Sequence, residues 1–199
     1  MATDAALDPY QNRVHAILLA LDISPDLIRA RVLVLHREPR HLTTVPSATV
    51  SPDLEDADQL TPATCDAWLA MQASAHNDGV PLALVSSFRS VERQRDIIAA
   101  KLAKGQSLSQ IMSSVAPPGY SEHHTGRAID MGTSNSTALE EVFETTPSYA
   151  WLVQHAHSFG FVMSYPRNNP QGFVFEPWHW CFQEPPRAHT RTQPSPPGS

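Results

Sequence analysis

Two short motifs, far apart in the chain, constrain the fold more than any stretch of periodicity does. They are Ser121-Glu122-His123-His124-Thr125-Gly126-Arg127-Ala128-Ile129-Asp130 and Glu176-Pro177-Trp178-His179-Trp180. His123, Asp130 and His179 are zinc-type ligands, and Glu176 is a carboxylate left over. Two imidazoles and a carboxylate can hold zinc and leave its fourth tetrahedral position open, whereas a structural site is normally closed by four ligands, often cysteines. An open zinc ion acidifies water, and a neighbouring carboxylate can take the proton and later pass it to a leaving amine. The residue types therefore predict a zinc hydrolase.

Gly126 makes a continuous helix from His123 to Asp130 untenable, so Ala128 to Met131 reads as a short strand leaving a tight turn. One ligand then sits on the turn and another on the strand. Glu176 and His179 are three residues apart, and an ideal strand would point them to opposite faces. Pro177 must accompany a bend or bulge that turns both toward the metal, and its missing donor suits an edge.

Elsewhere the chain alternates helix and strand signals. Val14, Ile17, Leu18 and Leu21 fit a helix, and Val32 to Leu35 reads as a β-like run before an irregular Pro- and Asp-rich stretch. Thr61 followed by Pro62 is a helix start, with the hydroxyl as cap, and the helix runs through Trp68 and Met71 to stop near Gly79. Pro81 to Ser86 is a buried strand that delivers Ser87-Phe88-Arg89-Ser90 to its end. Ser90 caps a helix from Val91 to about Lys104, closed by Gly105, and a second short helix fits Leu108 to Val115. A helix from Ser148 to Phe159 stops at Gly160, and Phe161 to Met163 and Val174 to Phe182 supply further strands. The loop between those strands, with Asn168, Asn169, Pro170 and Gly172, suits a hairpin connection or a substrate-facing loop. The pattern predicts an α+β domain whose antiparallel sheet carries the zinc site between flanking helices. Residues 1–60 read as an N-terminal helix and irregular extension packed on a domain of residues 61–183, and 184–199 as a Pro-rich disordered tail.

A chain of 199 residues, 41% hydrophobic, can bury a core without disulfides. A net charge of -6 with scattered Lys and Arg argues against a nucleic-acid surface. The early apolar run Ala16 to Leu21 is too short to span a bilayer, and Asp4 and Asp8 stand where a secretory signal has basic residues. The expected location is the cytoplasm, with no membrane partner, and the expected state is a monomer. Cys65 and Cys181 have no paired-ligand or disulfide spacing and read as free thiols; Cys181 as a ligand is the sharper alternative. With ten histidines in the chain, one alone is a poor ligand candidate, and His15, His36, His41, His76, His155, His157 and His189 have no partner pattern. His123 and His179 differ because each sits in a motif with a carboxylate.

The motifs Ser121-x-His123-x-x-Gly126-x-Ala128-x-Asp130 and Glu176-x-Trp178-His179, with Val85-Ser86-Ser87-Phe88-Arg89-Ser90 and Gln94, resemble the zinc D-alanyl-D-alanine carboxypeptidases related to VanY. Their superfamily includes lysostaphin-type endopeptidases and hedgehog domains. The resemblance covers roughly Leu60 to Phe182. It implies that His123, Asp130 and His179 bind one zinc ion, that Glu176 is the catalytic base, and that Arg89 and Ser121 hold the substrate. A guanidinium fork and a hydroxyl suit a terminal carboxylate and an oxyanion. Arg89 could otherwise be a surface cation beside Glu92, Gln94 could face cleft or solvent, and Trp178 could wall the metal site or fill the core. Phe88 stands where the family commonly has tyrosine, His124 where it has glutamine, and Cys181-Phe182 where it has Arg-Tyr. These departures bear on specificity, and His124 could itself touch metal or substrate.

The resulting expectation is a monozinc peptidase that removes the C-terminal D-alanine from peptidoglycan-derived peptides. The competing readings are an L,D-carboxypeptidase or D-Ala-D-Ala dipeptidase in wall-peptide recycling, a lytic endopeptidase, and a zinc-bearing binding domain without catalysis.

Overall fold

Helix starts follow local capping chemistry. The computed structural model describes residues 8–46, 58–133 and 139–184. Asp8 accepts from the backbone N–H groups of Tyr10 and Gln11, and the Gln11 side chain accepts from the Asp8 N–H, which closes a capping box on α1 (Pro9–Ala20). Ser24 caps α2 (Pro25–Ala30), a helix too short to give a periodic signal. The expected cap of α3 (Pro62–Asn77) is corrected: Thr61 makes no side-chain cap bond, because its hydroxyl pairs with that of Thr64 at 2.8 Å. Ser90 does cap α4 (Val91–Ala103), accepting from the Arg93 N–H at 3.1 Å. α5 is confined to Leu108–Met112. α6 (Pro147–His155) begins one residue earlier than expected and tightens into a 3-10 turn, Ala156–Phe159, before Gly160.

A four-stranded antiparallel sheet holds β3 (Ala83–Ser86), β4 (Ala128–Gly132), β6 (His179–Phe182) and β5 (Phe161–Met163), in that spatial order. A separate two-residue ladder pairs β1 (Thr43–Thr44) with β2 (Gln59–Leu60). In the larger sheet Asp130 lies opposite Ser86 on one side and His179 on the other. A register shift between Leu84 and Ser86 lets Leu84 pair with Met131 while Ser86 comes opposite Asp130. Such an extra residue re-aims a side chain. The α+β architecture with an antiparallel sheet is as the sequence predicts.

One face of the sheet is apolar. Leu84, Ile129, Met131, Phe161, Trp180 and Phe182 pack with Trp68 and Met71 of α3 and Leu152 of α6. Alternation sends Asp130 and His179 to the other face. A second cluster joins α1 and α2 to α4 and α5 through Val14, Leu18, Ile28, Val91, Ile98 and Ile111. The tail expected to be disordered lies, from residue 185 on, outside the described residues.

Two strand expectations are corrected. Val32 to Leu35 forms no strand: Val32 lies in a turn at φ 53, and residues 33–35 pair with no strand among the described residues. Its alternation is real, since Val32 and Val34 are exposed while Leu33 and Leu35 are half-buried, but the neighbour is the Gly119 turn, reached by the His36 N–H. The strand expected from Val174 is confined to β6, because the 174–178 backbone bonds the Ser113 and Tyr165 carbonyls and then turns.

Candidate active site

The first motif is a 3-10 turn, Glu122–Thr125, followed by Gly126 at φ 63. A Cβ on Gly126 would come 2.9 Å from Leu42 and 3.3 Å from the Thr61 backbone nitrogen. Only glycine therefore both takes the turn and admits these neighbours. The turn hands the chain to β4, so His123 and Asp130 come from adjoining elements, as the sequence predicts. The second motif bends where Pro177 requires it: the His179 N–H donates to the Glu176 carbonyl at 3.1 Å, and the Trp180 indole N–H to the Pro177 carbonyl at 3.0 Å.

These turns bring His123, Asp130 and His179 together, with candidate ligand atoms all within 4.8 Å of one another. All three are buried. His123 Nδ1 lies 2.6 Å from the Ser87 carbonyl, which can only accept, so that nitrogen carries the proton and Nε2 faces Asp130 Oδ2 at 3.2 Å. His179 presents Nδ1 to Asp130 Oδ1 at 2.9 Å and Nε2 to Glu122 Oε2 at 3.0 Å. Ligand atoms around a tetrahedral zinc stand roughly 3.3 Å apart at ordinary bond lengths. The donor set and its spacing fit zinc.

The electrostatics follow from burial and partners. Burial acts to raise the Asp130 pKa, but the two imidazoles override it and hold the carboxyl well below its usual range. Burial lowers that of His123, leaving the ring neutral, as a ligand must be. On His179 burial acts downward, and the Asp130 and Glu122 carboxylates push the value up to about 10. A metal ion must displace that proton to bind. Glu176 is raised to about 7, first by burial and then by Asp130 and Glu122, against the lowering pull of His179 and Arg89.

The cluster opens into a cleft of about 360 Å³, which every sequence-derived site residue lines. Arg89 is half-buried rather than a surface cation: its guanidinium donates to Gln94 Oε1 at 2.9 Å and Ser86 Oγ at 3.0 Å. Gln94 is buried, and its amide also donates to the Ala116 carbonyl at 2.7 Å, so it faces the cleft. Ser121 is buried at the start of the motif turn. Trp178 does both jobs left open for it, lining the cleft and packing on the apolar core.

His124 stands apart from the cluster. Its Nδ1 donates to the Arg89 carbonyl at 2.6 Å and its Nε2 accepts from the Gly119 N–H at 3.0 Å. Burial lowers its pKa to about 4, and both nitrogens are spent on backbone. Cys65 and Cys181 are free thiols, and Cys181 is not among the clustered ligands.

Residues 57–185 match VanY, the D-alanyl-D-alanine carboxypeptidase family. The chain belongs to the VanY family. It is 34% identical over 145 residues to YodJ of Bacillus subtilis, covering 67% of this chain and 52% of that protein. To a D-alanyl-D-alanine carboxypeptidase of Enterococcus faecalis it is 34% identical over 121 residues, 55% of this chain and 42% of that one. The chain thus spans about half the length of these curated relatives. Among solved structures, the LD-carboxypeptidase LdcB superposes with a TM-score of 0.65 at 30% identity, covering 75% of this chain and 71% of that chain. A vancomycin-resistance D,D-pentapeptidase VanY mutant in complex with Zn(II) superposes at 0.53 and 25%, covering 77% and 87%.

Two VanY-fold neighbours of the cluster escaped sequence reasoning. Glu122 looked like a spacer between Ser121 and His123, yet its carboxylate meets His179 Nε2. Burial acts to raise its pKa, but the His179 contact brings it down to about 2. Tyr165 stacks on the His179 ring, centroids 4.7 Å apart and planes at 27°. The glutamate had a local signal, an acid beside a ligand; the tyrosine had none.

Proposed function

We propose that this chain is a zinc-dependent D-alanyl-D-alanine carboxypeptidase acting on peptidoglycan-derived peptides. The observation that carries the reading is Glu176, a buried carboxylate that lines the same cleft as the His123, Asp130 and His179 cluster. A carboxylate placed beside the reacting water can take its proton and later return it. His123, Asp130 and His179 would hold the ion. Zinc, when bound, supplies a Lewis acid that activates water and polarises a carbonyl.

Glu176 takes the proton of the water that attacks the scissile carbonyl and delivers it to the departing D-alanine amine. Arg89, its fork oriented by Gln94 and Ser86, steadies the oxygen that gains charge. Ser121 seats the terminal residue, and Trp178 forms the wall beside it. No covalent intermediate is needed. The similarity to LdcB favours a second reading, cleavage of an L,D-linked tetrapeptide by the same machinery.

The test is a substrate panel for the zinc-loaded chain: muramyl pentapeptide, muramyl tetrapeptide and a cross-linked dimer, followed by D-alanine release. Release from pentapeptide alone is expected. Release from tetrapeptide alone would replace D,D- by L,D-cleavage, and no release from any of the three would defeat the peptidase reading.

A further inference from the structure

The N-terminal segment packs behind one wall of the cleft. Arg31, just after α2 and outside the family-matched residues, donates through Nε to the Gln171 carbonyl at 2.8 Å and through Nη1 to the Met112 carbonyl. Its guanidinium also lies 4.3 Å from the Phe173 ring centroid. The Phe173 ring packs on Tyr165 at 4.8 Å, and Tyr165 stacks on His179 at 4.7 Å. Phe173, Tyr165 and Val174 line the cleft. A continuous chain of ring contacts therefore runs from Arg31 to a candidate ligand.

The loop before Phe173 also carries hydrogen bonds of its own. Asn169 is buried, donates to the Pro166 and Phe173 carbonyls at 3.0 and 2.8 Å, and accepts from the Phe173 N–H at 3.1 Å. Arg31 adds placement: it ties this loop to the end of α5, next to Ser113, whose carbonyl accepts from the Val174 N–H at 2.9 Å. Leu33 packs on the same Ala116, Tyr165 and Phe173 cluster. Two costs accompany the arrangement. Val32, β-branched and exposed, sits at φ 53, and Arg31 Nη2 is buried with no hydrogen-bond partner among the described residues. A strained backbone and an unsatisfied buried donor are each destabilising and persist where the surroundings impose them.

We infer that the segment around Arg31 belongs to the specificity apparatus of the cleft, and that Arg31 is a positioning residue which holds the Phe173 wall and sets the fit of the bound peptide. The inference rests on the cleft being a peptide site. Arginine suits the task because its planar fork can donate to two carbonyls while stacking on a ring, which an ammonium cannot do.

The test compares full-length, zinc-loaded wild type, Arg31→Ala and Arg31→Lys by hydrogen exchange and by steady-state kinetics on muramyl pentapeptide. In Arg31→Ala the Gly172 and Val174 amides should exchange about tenfold faster while the β4 and β6 amides keep their protection. Its KM should rise about fivefold with kcat within about twofold and zinc content unchanged, the signature of lost ground-state fit. Arg31→Lys should fall between. Wild-type exchange and KM in Arg31→Ala would overturn the inference, as would faster exchange with an unchanged KM, or a kcat that falls with zinc content. If wild type cleaves no peptide, the proposed function fails, and exchange alone then decides whether Arg31 holds the wall.

Discussion

Replacing His124 with glutamine should flatten the acid limb of the stability curve. His124 is fully buried and donates from Nδ1 to the Arg89 carbonyl while accepting at Nε2 from the Gly119 N–H, which fixes the neutral ring. Protonation would leave a charge in the interior and turn the Gly119 contact into two donors facing each other. Burial accordingly takes the pKa from 6.5 to about 4. Because the folded value is the lower one, the unfolded chain binds a proton first as pH falls. His124 therefore contributes stability that is complete above about pH 6.5 and lost progressively toward pH 4. The full difference is about 3 kcal/mol, of which about 2.5 kcal/mol falls between pH 7.5 and pH 4.5. Glutamine can also donate to the Arg89 carbonyl and accept from Gly119, without titrating. Urea unfolding with EDTA present, across that range, should show the wild type losing about 2.5 kcal/mol more than His124→Gln. Other groups titrate in the same window, notably Glu176 with the opposite sign, but their contribution is common to both proteins and cancels in the difference. Two parallel curves would refute the reasoning.

Other changes should read out equally directly. Gly126→Ala should cost about 1–3 kcal/mol in chemical unfolding, because alanine must hold a left-handed backbone with its Cβ crowding Leu42 and the Thr61 backbone. Glu122→Ala should weaken zinc binding about 10–100-fold in a chelator competition, since His179 Nε2 loses the acceptor that leaves Nδ1 for the metal. Glu122→Gln, which retains an acceptor, should recover part of that loss; equal affinities in all three proteins would remove Glu122 from the metal's support.

Much of the site could be read from the chain because its chemistry is local. Gly126 announced the turn, the motif named the residues that converge, and the awkward spacing of Glu176 and His179 demanded the bend that Pro177 occupies. Helices α3 and α4 and strand β3 likewise carried their own start and stop signals. What escaped depends on partners brought from elsewhere. An alternating run such as Val32 to Leu35 looks the same whether or not a strand pairs with it, and among the described residues none does. Tyr165 and Arg31 matter only through ring stacks and carbonyls supplied by distant segments. His124 could be weighed as a ligand because a turn lets neighbours diverge; the divergence is real, but it carries the ring to backbone groups instead.

No helix among the described residues is long and apolar enough to cross a membrane. The decisive measurement is D-alanine release from muramyl pentapeptide by wild type and Glu176→Gln, each first shown by metal analysis to hold one equivalent of zinc. Wild type should release D-alanine, and Glu176→Gln, with the same zinc content, should be slower by about 100-fold or more, the loss of a general base. Equal rates would remove Glu176 from the chemistry, and a zinc-loaded wild type that releases nothing would contradict the proposed activity itself.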